Sequence, residues 1–138
     1  MSKAKKSKRF VYNLAALLRV RELKERLEKD KFAEMEKLYN IEQQKEQEIR
    51  NFQAQCYDKL RRVMAGEEGP PNMQDIMMRK AHLEVLQEQV DEQVKKTEEA
   101  KEKMEEQRDV LIQTIKEKKV IEKDKEKTRE AWRKLMEK

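Results

Sequence analysis

The stretch VMAGEEGPPNMQD, Val63 to Asp75, holds both glycines and both prolines of a 138-residue chain. Gly66, Gly69, Pro70 and Pro71 sit within six residues, and every other position is free of either type. Inside a helix a glycine costs about 1 kcal/mol and a proline about 3 kcal/mol relative to alanine. The distribution therefore predicts one helix on each side and a single reversal between them. Gly66 suits the left-handed residue that ends a helix. Pro70 and Pro71 stop its continuation, and Asn72 or Asp75 can cap the second helix.

Working outward, composition agrees with long exposed helices. Charged residues make up 46% and aromatic residues 5% of the chain. Glu, Lys, Gln, Leu, Arg and Met are frequent and lose little side-chain freedom in a helix. A disordered chain has similar counts, so periodicity decides. From Ile76 a seven-residue series runs through Leu83, Val90, Thr97, Met104, Leu111, Lys118, Lys125 and Trp132. A second runs from Leu86 through Gln93, Ala100, Gln107, Thr114, Ile121, Thr128 and Leu135. Alternating three- and four-residue steps are the seam of a coiled coil. Before the turn, Phe10, Leu14, Leu17, Leu18, Val20, Leu23 and Leu27 read as one stripe. Met35, Leu38, Ile49, Phe52, Cys56, Leu60 and Val63 continue it, with Glu42 and Lys45 as an interruption.

The expected fold is all-α, a long antiparallel two-helix coiled-coil hairpin: a basic flexible tail over 1–9, helix 1 over 10–65, a turn over 66–72 and helix 2 over 73–138. At 1.5 Å per residue such a hairpin is about 80–95 Å long. A turn centred near residue 69 pairs residues whose numbers total about 138. It sets Cys56 against His82, Phe52 against Leu86, Leu27 against Leu111 and Leu17 against Ile121.

Net charge is +5. Lysines and arginines less acids give 11 − 4 = +7 over residues 1–31, 13 − 19 = −6 over 32–115 and 10 − 6 = +4 over 116–138. The hairpin would bring both basic ends together. No apolar run spans a bilayer, Met1 to Arg9 lacks the apolar stretch of a secretory signal, and a single cysteine, Cys56, suits a reducing compartment. Cytosolic placement is the expectation.

Catalysis needs an acid, base or nucleophile held in a pocket that excludes water, which a two-helix rod does not offer. We expect no enzyme, metal or cofactor, and read His82 and Cys56 as seam residues. The tail lysines suit nucleic acid, anionic lipid or solubility alone, though aromatics for base stacking are missing. Phe10, Tyr12 and Trp132 near the helix ends suit a partner or a clasp between the helices. Met64, Met73, Met77 and Met78 suit an adaptable surface or packing beneath the turn. Ile49, Phe52, Cys56, His82 and Leu86 form either ordinary seam or a groove for a docking protein.

The segment RFVYNLAALLRVREL, Arg9 to Leu23, resembles the opening of the flagellar export protein FliJ family through Phe10, Tyr12, Leu14, Leu17, Leu18, Val20, Arg21 and Glu22. HLEVLQEQVDEQ (His82–Gln93) and EKKVIEKDKEK (Glu117–Lys127) continue the likeness, and the family usually has an aliphatic residue where this chain has Asp124. The resemblance implies a hairpin like the central stalk (gamma subunit) of rotary ATPases, monomeric when isolated. It implies a cytoplasmic component of the flagellar type III export apparatus, peripheral at the inner membrane, with relatives in virulence secretion. Its ends would enter and activate a hexameric export ATPase through Arg9, Phe10, Tyr12, Leu14, Leu17, Leu18, Arg19, Arg21 and Trp132. A patch at Ile49, Phe52, Cys56, His82, Leu86, Gln89 and Gln93 would meet the cytoplasmic domain of the export gate protein, and the chain would escort export chaperones without binding nucleic acid. The rival reading is a generic coiled-coil scaffold or dimer whose basic tail touches nucleic acid or membrane.

Overall fold

A computed structural model describes residues 9–137. Lys3, Lys5, Lys6 and Lys8 of the expected tail lie outside the described residues. Two long helices, α1 (Ala15–Met64) and α2 (Met73–Met136), pack against each other as an antiparallel hairpin.

The reversal follows from its backbone chemistry. Gly66 takes φ 77°, and the two bonds that close a helix before a left-handed residue are present. The Glu67 amide donates to the Arg62 carbonyl and the Gly66 amide to the Val63 carbonyl, each at 3.1 Å. Gly69 at φ 109° lies further from any well open to a side chain. Of the two candidate caps, Asn72 is the one used: its Oδ1 accepts the Gln74 amide at 2.9 Å. Asp75 sits one turn in, where Arg79 donates to it at 3.1 Å.

At the other end helix 1 begins at Ala15 rather than at residue 10. Residues 9–14 are non-helical, and the Ala15 amide closes a turn on the Tyr12 carbonyl at 3.2 Å. This lets the Tyr12 ring leave the helical path and become buried.

The chain divides into two compact units. One spans Glu34–Glu105 and includes the turn. Its core is apolar: Leu60, Leu83 and Leu86 cluster, with Cys56 and Ile76 packed on them, and Val63 and Val90 are buried too. Cys56 thus lies on leucines, while the ring beside His82 is that of Phe52, 6.0 Å away and edge-on. Further from the turn this seam is polar. Gln93 donates to the Glu42 carbonyl and carboxylate at 3.1 and 2.5 Å, Thr97 to the same carbonyl at 3.3 Å, and Gln53 to Gln87 at 2.7 Å. Glu42 is therefore part of the seam, not a break in it, whereas Lys45 faces solvent.

The other unit comprises described residues 9–33 and 106–137, and polar pairs dominate its seam. Arg21 donates to Glu117 at 2.8 Å, Lys118 pairs with Glu25, and Gln107 donates to Glu28. Asp124, which stands where the resembling family usually has an aliphatic residue, accepts the Tyr12 hydroxyl.

Burial along α1 shows a strict heptad alternation. Leu18, Arg21, Glu25, Glu28, Phe32, Met35, Tyr39, Glu42, Glu46, Ile49, Gln53, Cys56, Leu60 and Val63 are buried or half-buried at steps of three and four. The expected single stripe is wrong in its first half: Val20, Leu23 and Leu27 point outward at 60%, 54% and 53% exposure, so Leu27 does not close on Leu111. The helix turns Arg21, Glu25 and Glu28 inward because α2 presents Glu117, Lys118 and Gln107 there, and enclosed polar groups require partners.

Candidate partner-binding site

The residues expected to meet an ATPase ring gather in the unit that holds both ends of the sequence. Phe10 lies against Trp132 with ring centroids 5.8 Å apart and planes tilted by 54°. Tyr12, inside this clasp, donates its hydroxyl to Asp124, with the Ile121 carbonyl at 3.5 Å. Burial, then the Asp124 hydrogen bond and charge, raise its pKa from 10.0 to about 12. Leu18 is buried, Leu14 and Leu17 lie at the rim, and Arg19 is exposed. Arg9 is also exposed. Arg21 is committed inward to Glu117, and its Nε is enclosed with no acceptor among the described residues. Of the nine, Phe10, Leu14, Leu17, Arg9, Arg19 and Trp132 present surface, while Tyr12, Leu18 and Arg21 hold the end together.

The clasp makes an alkaline prediction. Tyr12 holds its proton to about pH 12 in the fold, whereas an unfolded tyrosine releases it near 10.0. The contribution of Tyr12 to stability is thus complete below pH 10 and lost as the pH rises towards 12. Near-ultraviolet titration is expected to show Tyr12 ionising in a late step towards pH 12, Tyr12→Phe to remove that step, and Asp124→Leu to bring it earlier while burial keeps it above 10.0.

The second expected surface lies in the unit around the turn, where the structure splits it. Leu86 and Gln93 are buried, Ile49 and Cys56 half-buried, and Phe52, His82 and Gln89 exposed. The exposed Phe52–His82 pair is what remains available to a partner. Met73, Met77 and Met78 are 69%, 62% and 73% exposed, so they do not pack beneath the turn. Met64 borders a shallow groove of about 590 Å³ with Ala54, Tyr57, Leu60 and Arg61.

No group of His, Cys, Asp and Glu among the described residues has the spacing to hold a metal ion. No helix among them is long and apolar enough to cross a membrane. No protein-family model, curated protein or solved structure matches the chain.

Sequence reasoning missed the inward polar residues Arg21, Glu25, Glu28 and Gln53. The signal was available in the polar seam residues of α2, Lys118 and Gln107, which require hydrogen-bonding partners on α1.

Proposed function

We propose that the chain is a non-catalytic stalk and adaptor of a flagellar-type protein export apparatus, which inserts in and activates a hexameric export ATPase and links it to the export gate and chaperones. The observation that carries the reading is the clasp of Phe10 on Trp132. It lies in the unit that holds both basic stretches among the described residues, 7 − 4 = +3 over residues 9–31 and 9 − 6 = +3 over 116–137. A positive, aromatic-bearing end suits an acidic pore, because complementary charge steers association. The Arg9–Leu23 resemblance names the class of pore, and Phe52 with His82 supplies a separate exposed contact suited to the gate.

The test is direct. Purified chain added to its cognate export ATPase is expected to raise hydrolysis and ring assembly, and the effect is expected to weaken with salt as exposed charges are screened. Phe10→Ala with Arg19→Glu is expected to reduce it. Unchanged hydrolysis and assembly on addition of the wild-type chain would overturn the proposal.

A further inference from the structure

The outward face of α1 carries a second seam. Ala16, Val20, Leu23 and Leu27 are all exposed and follow one another at steps of four, three and four. The inward series Leu18, Arg21 and Glu25 has the same steps as Val20, Leu23 and Leu27, two residues out of phase. At about 100° per residue the two faces lie about 200° apart, so α2 cannot cover both. Single exposed leucines need no explanation, but a contiguous apolar face marks an interaction surface.

Its flanks say what covers it. With Val20 and Leu27 at a and Ala16 and Leu23 at d, the charged residues at e and g are Arg19, Lys24, Arg26 and Lys31, all exposed and all basic. The nearby acids Glu25 and Glu28 are turned inward to Lys118 and Gln107, Lys31 and Lys24 reach Glu28 and Glu117 only at 3.7 Å while staying exposed, and Asp30 ends the apolar series.

We infer that this face docks an amphipathic helix of a partner protein that is apolar at a and d and acidic at e and g. Charge at e and g selects partners in coiled coils. A second copy of this chain would set these four cations against themselves in either orientation, a repulsion that excludes wrong partners. A lipid surface favours a broader apolar face bearing Trp or Phe, and this one is a narrow strip of Ala, Val and Leu. The inference stands independently of the export reading, since it uses neither the terminal clasp nor the resemblance.

The experiment titrates the full chain against two labelled synthetic three-heptad helices, both with Ile at a and Leu at d, one with Glu and the other with Lys at every e and g. The acidic helix is expected to bind about tenfold or more tightly than the basic one. Leu23→Gln with Leu27→Gln is expected to abolish that binding while helix content and the late ionisation of Tyr12 stay unchanged. Arg19→Glu with Arg26→Glu, which leaves Lys24 and Lys31 beside two acids, is expected to remove most of the preference. Three results would each overturn the inference: no binding of the acidic helix, equal binding of both, or binding that survives the double glutamine substitution. So would light scattering showing a dimer of the wild-type chain lost in the Leu23→Gln, Leu27→Gln variant, which would assign the face to a second copy. Leu23-dependent capture by phosphatidylserine vesicles without the acidic-helix preference would assign it to membrane.

Discussion

Leu86→Ala is expected to lower the free energy of unfolding by about 3 kcal/mol, while Leu23→Ala is expected to change it by less than about 0.5 kcal/mol. Both residues are leucines inside long, charged helices. They differ in what surrounds them. Leu86 is 3% exposed and sits with Leu60 and Leu83 in the cluster on which Cys56 and Ile76 pack, while Leu23 is 54% exposed. Removing the Leu86 side chain forfeits its transfer from water and leaves space that the neighbouring side chains fill only in part. The loss falls where the apolar core is concentrated, so little else in that seam can offset it. Urea denaturation followed by circular dichroism measures both values. A cost at Leu23 equal to that at Leu86 would mean that the inward and outward faces of α1 are assigned wrongly.

The second large effect concerns Glu25 and Lys118. Lys118 and Lys29 both donate to the Glu25 carboxylate, which is held below its ordinary value of 4.5, and Glu25 raises Lys118 above 10.5. Glu25→Ala leaves a largely enclosed ammonium without its closest partner, at a cost of about 1–3 kcal/mol. Replacing both residues by leucine removes the need for either charge and is expected to restore or exceed the original stability. The pH dependence follows from the same shifts. Glu25 stabilises the fold above pH 4.5 and its contribution is lost as the pH falls below that value, because the unfolded carboxylate takes up its proton first. Lys118 contributes below pH 10.5, and that contribution is lost as the pH rises further. Between those limits the wild-type unfolding free energy is expected to be level, and the double-leucine variant is expected to lose less stability in acid. If the double substitution costs the sum of the two single ones, the pair is not coupled.

The turn was legible in the sequence because Gly66 and Asn72 do chemistry that few other residues can do: a positive φ and a short side-chain acceptor. The seam of α2 was legible too. From Leu83 to Ile121 both of its seven-residue series are buried or half-buried. The first half of α1 was not, for a physical reason. Two faces of that helix share the same spacing, and the more apolar one, Val20, Leu23 and Leu27, lies outward. Counting apolar residues selects that face, whereas the fold is decided by which face satisfies the polar side chains of the opposite helix. The candidate partner surfaces divide the same way. Aromatic residues near the ends of the sequence signalled the Phe10–Trp132 contact, but nothing local told that Tyr12 and Arg21 would be used inside the molecule.

The pairing of Gln93 with Glu42, Gln107 with Glu28 and Lys118 with Glu25 also fixes how far one helix can slide along the other. A heptad repeat offers nearly equivalent alignments every seven residues. A shift of one repeat would put the Gln93 amide opposite Ile49 or Met35 and the Lys118 ammonium opposite Phe32 or Leu18. Neither can accept a hydrogen bond, so each mismatch strands a polar group against hydrocarbon. The polar seam residues behave as the notches of a key: they give up apolar burial, and in return the hairpin closes in one alignment out of several that its leucines alone would tolerate.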